Sequence, residues 1–262
     1  MRAKPCANTS PTVRLILNKR SDNPETGLKR AKRKNKTMSC YDYSRVNWDA
    51  IKRLSRWYSG DIQDVMDKHG FYGFLRGLSL QSVLKPGQVI CGPVHTVLYE
   101  KSTRTGQPQD VYHRTIDNVV EGGILLVDSS CAEGSGTGEL MSTGAKTAGA
   151  AATIVNGTVR DIAEVKKLDY PLFARGVSPV GVSGRMEPTK SQVELNINGV
   201  RVRPGDVIFA DITGVVVIPE ELVAVIADDA DSNGDGEIQC RERILSGEKL
   251  QSVWPLGSTG PV

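Results

Sequence analysis

The sequence has 262 residues, of which 39% are hydrophobic and 24% are charged, and these fractions are ordinary for one globular domain. No apolar run approaches the roughly 20 residues of a membrane-spanning helix, which argues against a membrane protein. The formal net charge of +3 is unevenly distributed, because residues 1–38 hold 11 Lys or Arg against two acidic residues. The remainder of the chain is therefore acidic, which argues against a nucleic-acid-binding surface there.

Residues 1–38 are the first segment along the chain. They lack the apolar region of a secretory signal, because the run at 13–17 is short and contains Arg14. Three interpretations stay open: a disordered extension before a true start at Met38, an organelle transit peptide, or a binding tail. We expect residues 39–262 to form one catalytic domain, cytoplasmic unless the basic segment directs it to an organelle. Five scattered cysteines without a C-x-x-C pair favour a reduced intracellular compartment.

Two helices are predicted after this segment, at residues 48–57 and 59–69. In the second, Ile62, Val65 and Met66 have helical spacing, and Gly70 ends the pattern. From Gly87 onward the sequence changes to short runs rich in β-branched residues, which predict strands. These runs lie at residues 89–91, 94–99, 124–127, 153–156, 172–174, 193–197, 207–210 and 215–218.

A third helix is predicted at residues 139–150, between two of these strands. Turn signals such as Asn198-Gly199 join the later strands, so an α/β domain with a mixed central sheet is favoured over a purely parallel one. The C-terminal residues 220–252 are predicted to be helical on both sides of a polar interruption at 231–236.

Glycines lead directly into the helix at residues 136–141. Exposed backbone N–H groups and the positive end of the helix dipole meet there, an arrangement that suits a carboxylate or phosphate. The alternative is an ordinary flexible loop between a strand and a helix, and this motif by itself does not decide between them.

The sequence Asn156-Gly157-Thr158-Val159-Arg160-Asp161 follows the next predicted strand. Its loop returns to the edge of the sheet where the glycine loop lies, so Arg160 and Asp161 are expected beside that loop. Arg160 offers a bidentate donor for a carboxylate or enolate, and Asp161 offers hard oxygen ligands for Mg²⁺ or Mn²⁺. The alternative is a polar turn in which Asp161 caps the helix predicted at residues 162–168.

Several motifs in a fixed order resemble the RraA-like superfamily, which includes class II 4-hydroxy-4-methyl-2-oxoglutarate/4-carboxy-4-hydroxy-2-oxoadipate aldolases and protein regulators of ribonuclease E. The resemblance covers residues 59–247 and implies a layered, swivelling-domain architecture and a homotrimer or hexamer. It rests on Gly138-Glu139-Leu140-Met141, Asn156-Gly157-x-x-Arg160-Asp161, Pro171-Leu172-Phe173-Ala174-Arg175-Gly176, Pro204-Gly205-Asp206 and Ala210-Asp211-x-x-Gly214-Val215-Val216-Val217-Ile218-Pro219.

The resemblance also implies a role for each matching residue. Arg160 would contact the substrate and Asp161 would bind the divalent metal, Mg²⁺ or Mn²⁺. The pyruvyl portion of a 2-oxo acid would be held by the loop residues Gly138, Glu139, Leu140 and Met141.

Two further carboxylates would complete the site. Glu139 stands where the aldolases usually have Asp, and it would hold a metal-bound water. Glu237, supplied by a neighbouring subunit, would be the second carboxylate; a surface position on a helix is its alternative.

These roles predict a metal-dependent lyase that cleaves a 4-hydroxy-2-oxo acid to pyruvate by retro-aldol reaction, with oxaloacetate decarboxylation as a companion activity. The alternatives are a non-enzymatic, protein-binding regulator and another enolate-forming enzyme on the same scaffold. Asp161 favours an enzyme, because the regulators typically lack this metal ligand.

One competing motif and five isolated residues remain. Residues 231–242 match the EF-hand loop pattern, with candidate Ca²⁺ ligands at Asp231, Asn233, Asp235 and Glu242, whereas a polar break between helices is the favoured interpretation. Structural roles are predicted for His69, His95, His113, Cys131 and Lys146, with His113 placed before a helix.

Overall fold

The computed structural model of the chain describes residues 41–106 and 108–253, so the interpretations of residues 1–38 lie outside the described residues. The helices are α1 (Trp48–Leu54), α2 (Ser59–Lys68), α3 (Asp110–Asp117), α4 (Glu139–Thr147), α5 (Ile162–Lys167), α6 (Val223–Leu245) and α7 (Leu250–Val253). The strands are β1 (Ser79–Leu80), β2 (Ile90–Lys101), β3 (Ile124–Asp128), β4 (Ser135–Thr137), β5 (Ala152–Val159), β6 (Leu172–Val177), β7 (Met186–Ser191), β8 (Leu195–Ile197), β9 (Val200–Val202), β10 (Val207–Ala210) and β11 (Val215–Ile218).

The main sheet is mixed and runs in the order β1-β6-β5-β3-β2-β10-β11. Strands β2, β3, β5 and β6 are parallel, whereas β10, β11, β1 and β7 join antiparallel and β4 adds to β5 in parallel. The predicted α/β class with a mixed central sheet is confirmed. The parallel strands end at one edge of the sheet, and that edge carries the loops analysed below.

The central strands are buried on both faces, which explains their almost continuous apolar sequences. Along β3, Leu126 belongs to a core with the β8–β9 hairpin, whereas Leu125 belongs to a second core beneath α3, α4 and α5. A third core joins α1, α2 and α6 to β10 and β11, with Phe209 among its buried residues. No helix among residues 41–106 and 108–253 has the length and apolar character to cross a bilayer.

Strand β2 joins two runs that were predicted as separate strands. The predicted runs, residues 89–91 and 94–99, left Gly92 and Pro93 outside any strand. The strand continues because the next residue, Val94, donates its N–H to the Asp206 carbonyl at 2.8 Å. The hairpin predicted at Asn198-Gly199 is confirmed, and both turn residues have the positive φ that such turns require.

The interruption predicted at residues 231–236 is wrong, because α6 continues through it. Asp231, one of the candidate Ca²⁺ ligands, accepts hydrogen bonds from Arg53, Arg56 and Trp57. At Gly234 a Cβ atom would lie 1.9 Å from the Trp57 ring, so the glycine permits close helix packing. The twelve residues therefore form helical turns, not the loop of an EF-hand.

Candidate active site

The glycine loop leaves β4 and enters α4 at Gly138, its N-cap residue. A Cβ atom at Gly138 would lie 2.6 Å from Oδ2 of Asp161 and 3.1 Å from Cγ of Arg160. Any larger residue at position 138 would therefore have to displace the side chains of Asp161 and Arg160 from the loop. The predicted meeting of these two segments is observed.

Asp161 occupies the N-cap position of α5 in a left-handed conformation, with φ 59° and ψ 32°. Its side chain makes no capping hydrogen bond to α5, so the alternative role as an N-cap acceptor is wrong. Oδ2 instead accepts from the backbone N–H of Glu139 at 3.3 Å and lies 3.3 Å from Nε of Arg160. This region of φ and ψ is uncommon for residues other than glycine, and such residues concentrate at turns and functional sites.

Arg160 lies between the glycine loop and the loop that joins β6 to β7, which contains Gly181. Its backbone N–H donates to the Thr137 carbonyl at 3.1 Å, and its Nη1 would be 3.3 Å from a Cβ atom at Gly181. Within the described part of the chain, the only ion pair of its guanidinium is the one to Asp161, through Nε. The two terminal Nη groups are therefore the donors available to a carboxylate or an enolate.

Glu139 is the first residue of α4, and its Oε1 accepts a hydrogen bond from the Thr143 hydroxyl at 2.8 Å, one helical turn on. The backbone N–H groups of Leu140 and Met141 lie in the first turn, where a helix supplies no acceptor. Leu140 is 81% exposed, which leaves this turn open to a ligand. Amide donors and a carboxylate thus stand together at the start of α4.

A cleft of about 690 Å³ opens in front of these groups. Its lining comes from the glycine loop and α4, from Arg160 and Asp161, and from α3, which packs beside α4. The cleft is lined by Gln109, His113, Ile116, Asp117, Gly138, Glu139, Leu140, Met141, Gly144, Arg160 and Asp161.

The α3 wall was missed by the sequence prediction, which placed His113 before a helix. His113 lies within α3 and lines the cleft. The cleft residues Gln109, His113, Ile116 and Asp117, in α3 and at its N-cap, have successive spacings of four, three and one residues, a helical pattern that the sequence contains. Their membership in the site depends on α3 packing beside α4, which the spacing alone does not reveal.

The hydroxyl groups of two buried tyrosines contact the residues that lead into the glycine loop. Tyr99 donates to Oε1 of Gln109 at 2.6 Å and lies 3.1 Å from the Gly136 carbonyl. The Tyr112 hydroxyl lies 2.8 Å from the Thr137 hydroxyl, and burial raises the pKa of Tyr112 to about 12. Both phenols stay protonated at neutral pH, so they act as fixed hydrogen-bond partners of the loop.

Glu237 lies on α6, which packs against α1 and α2 and contributes no residue to the cleft lining. Burial, followed by the nearby Asp61 carboxylate, raises the pKa of Glu237. The structure of one chain therefore places it away from Arg160 and Asp161. Its assignment to a neighbouring subunit stays a prediction.

Among the isolated residues, His95 and Lys146 have structural partners. His95 is buried, accepts from the Val120 N–H and stacks on Tyr43, and burial lowers its pKa to about 4. Nζ of Lys146 donates to the Leu168 carbonyl, and burial raises the pKa of the Cys131 thiol. Neither residue has the environment of a nucleophile.

A divalent ion at this site would rest on a small set of protein ligands. The described residues contain no group of three His, Cys, Asp or Glu side chains arranged to hold a metal. Both contacts of the Asp161 carboxylate use Oδ2, so Oδ1 has no hydrogen-bond partner among the residues described. One carboxylate with waters and substrate oxygens fits Mg²⁺, which keeps several waters in proteins, and it does not fit a structural zinc site.

Comparison with known proteins gives a consistent family. A family model described as RraA-like, Aldolase/RraA, matches residues 61–217. Protein DlpA of Legionella pneumophila is 29% identical over 204 residues, which are 78% of this chain and 33% of DlpA. A Halalkalibacterium halodurans protein, named "Putative 4-hydroxy-4-methyl-2-oxoglutarate aldolase", is 30% identical over 66% of this chain and 81% of its own length.

An uncharacterized Methanocaldococcus jannaschii protein, MJ0644, is 37% identical over 44% of this chain and 55% of its own length. The chain thus spans less than two-thirds of DlpA and of MJ0644. Among solved structures, an uncharacterized Pseudomonas syringae protein superposes with TM-score 0.70 and 27% identity, covering 79% of this chain and 98% of that one. Streptomyces coelicolor RraAS2 has TM-score 0.68 at 24% identity, covering 76% of this chain and 100% of that one, which supports the fold only.

Proposed function

This chain belongs to the RraA-like family, and we propose that it is a divalent-metal-dependent lyase that cleaves a 4-hydroxy-2-oxo acid to pyruvate. The observation that carries the proposal is the conformation of Asp161. Its left-handed backbone turns the carboxylate away from its own helix and toward Arg160 and the start of α4. A left-handed carboxylate residue beside a guanidinium whose Nη groups form no ion pair with the described residues, and beside open helix amides, is arranged for a ligand, not for capping.

Substrate binding would use the donors at the start of α4 and on Arg160. The backbone amides of Leu140 and Met141, at the positive end of the helix dipole, suit the carboxylate of the pyruvyl group. The Nη groups of Arg160 suit the keto oxygen, where negative charge develops.

In the cleavage step the 4-hydroxyl loses its proton and the C3–C4 bond breaks. The electron pair of that bond passes into the pyruvyl fragment as an enolate, and an aldehyde or ketone leaves from C4. Arg160 stabilises the enolate oxygen, and protonation at C3 then gives pyruvate. Glu139, a cleft carboxylate whose Oε1 already accepts from Thr143, would orient the water that takes the hydroxyl proton.

Asp161 would hold Mg²⁺ or Mn²⁺, which supplies Lewis-acid polarisation of the 2-keto group when bound. Oxaloacetate gives the same enolate when it loses its C4 carboxylate as carbon dioxide. We therefore include oxaloacetate decarboxylation as a companion activity. A homotrimer or hexamer, with Glu237 of a neighbouring subunit at the cleft, is the assembly that we propose.

A pyruvate assay coupled to lactate dehydrogenase tests the proposal, with oxaloacetate and 4-hydroxy-2-oxo acids as substrates and with Mg²⁺ or EDTA. We expect EDTA to abolish pyruvate release and Asp161→Ala to lower kcat/KM at least about a hundredfold. Glu164→Ala is the matched control, because Glu164 lies on α5 three residues away and pairs with Lys167. Metal-independent pyruvate release, or full activity of Asp161→Ala, contradicts the mechanism; inactive wild-type protein that co-purifies stoichiometrically with another protein supports a regulator instead.

A further inference from the structure

A small cavity of about 40 Å³ adjoins the cleft, and the two share four lining residues: Gln109, Gly138, Met141 and Arg160. The rest of its lining comes from β4 and from Val182. A space of this size holds about one water molecule or one polar group of a ligand. Gln109 is the one shared residue that has no role in the mechanism proposed above.

The side chain of Gln109 is fixed from within the fold. Gln109 is the N-cap residue of α3 and only 5% exposed, and its backbone carbonyl accepts from the His113 N–H at 2.9 Å. Its Oε1 accepts from the hydroxyl of Tyr99 at 2.6 Å, and that hydroxyl also lies 3.1 Å from the Gly136 carbonyl. Because Tyr99 takes the oxygen end of the amide, the Nε2 end is the one left for another partner. The carboxamide therefore lies beside the glycine loop with a set orientation.

Nε2 of Gln109 donates to no acceptor among residues 41–106 and 108–253. Two polar side-chain atoms of the described residues are both sealed from solvent and unpaired, Ser129 Oγ and Thr189 Oγ1, and Nε2 of Gln109 is not one of them. The amide nitrogen is therefore open to the cavity that Gln109 lines. Since nearly all buried polar groups have a hydrogen-bond partner, an open donor on so buried a residue indicates a partner that enters the cavity.

Arg160 borders the same cavity and the same cleft, and its Nη groups form no ion pair with the described residues. A ligand that reaches Arg160 through the cleft therefore meets Gln109 as well. We infer that Gln109 is a substrate-binding residue whose Nε2 donates to an oxygen of the 2-oxo acid held by Arg160. The inference rests on the proposed function and adds a neutral donor to its site. An amide that is already fixed needs no ordering when the ligand binds.

Two substitutions at Gln109 separate the donor from the packing of the side chain. Gln109→Met keeps the length of the side chain and removes both Nε2 and Oε1, whereas Gln109→Glu keeps an oxygen for the Tyr99 hydroxyl and removes only the donor. Gln109→Glu is nearly isosteric, so it decides the question alone if Gln109→Met does not fold.

Two measurements are made with Mg²⁺ present. Exchange of the C3 protons of pyruvate in D₂O reports on enolate formation, and calorimetry with oxalate, a planar dianion shaped like that enolate, reports on binding. We expect both variants to lower kcat/KM for exchange about tenfold and to raise the Kd of oxalate by a similar factor, which corresponds to the loss of one hydrogen bond to a charged ligand. Gln251→Met makes the same change at an exposed position of α7, outside both linings, and should leave both values within about twofold of wild type.

Four results would contradict these expectations. Normal exchange in Gln109→Glu beside a loss in Gln109→Met would show that Gln109 only holds Tyr99, and normal exchange and oxalate binding in both variants would leave the amide to a water molecule; either result overturns the inference. A changed oligomeric mass of both variants in size-exclusion chromatography would assign the amide to a subunit contact and also overturns it. Wild-type protein that neither binds oxalate nor exchanges the protons overturns the proposed function itself, a result distinct from wild-type exchange with unaffected variants.

Discussion

Two segments carry the most specific motifs: the glycine loop with Arg160-Asp161, and the EF-hand-like residues 231–242. The first segment lines the cleft, whereas the second is part of helix α6. At the loop, Asp161 has a left-handed backbone, and the Nη groups of Arg160 form no ion pair with the described residues beside the cleft. In α6, Asp231 accepts three hydrogen bonds and Gly234 lies against Trp57. Similar polar residues thus indicate a site only where the backbone leaves their donors and acceptors unsatisfied.

Gly138→Ala tests the first half of this contrast and should have the largest effect. Gly138 has φ −147°, an extended value that any residue adopts, so the substitution acts only through its added Cβ atom, 2.6 Å from Oδ2 of Asp161. The carboxylate must move, and we expect kcat/KM for pyruvate release to fall about a hundredfold, because catalytic geometry tolerates little displacement.

Gly176→Ala is the control for that measurement. Gly176 lies in β6 of the same sheet, and a Cβ atom there would meet nothing within 4 Å. Its kcat/KM should stay within about twofold of wild type. Equal activity of Gly138→Ala and wild type would show that the close approach of Asp161 to the loop is not needed, and the contrast would fail.

Part of the site could be predicted because it follows from strand order. Arg160 and Asp161 come after one parallel strand and the glycine loop comes before the helix that precedes that strand, so the topology brings them to one edge. The left-handed conformation of Asp161 could not be predicted, since the same residues fit a capping turn. The α3 wall was missed because the packing of α3 beside α4 is a long-range property.

For the fold as well, features set by local sequence could be predicted, whereas features set by long-range packing could not. The buried strands β3, β10 and β11 were predicted nearly to their ends, because their apolar runs are bounded by turn residues. The continuity of β2 through Pro93 depends on its partner β10, and the continuity of α6 depends on its contacts with α1. Local propensity opposed both, and tertiary packing decided them.

Gly234→Ala tests the packing half of the contrast. Alanine favours a helix over glycine, but its Cβ atom would lie 1.9 Å from the Trp57 ring, which is itself buried. We expect a net loss of about 1–2 kcal/mol in the free energy of unfolding, measured by urea denaturation. Gly60→Ala in α2, where the Cβ atom meets nothing within 4 Å, should show no loss; equal stability of both variants would contradict the packing role of Gly234.

Calcium titration of the thermal midpoint should have the smallest effect, and it addresses the EF-hand motif directly. An ion bound at a hundredfold excess over its Kd would stabilise the protein by about 2.7 kcal/mol, which is several degrees in Tm for a domain of this size. We expect a shift below about 1 °C at about 1 mM Ca²⁺, since α6 would have to unwind before residues 231–242 could enclose an ion. Unwinding would also free the Asp231 carboxylate from Arg53, Arg56 and Trp57, a further cost to binding. A rise of several degrees that Glu242→Gln removes would mean that the helix and the calcium loop are close in free energy, and α6 would then belong with the ligand-binding regions of the molecule.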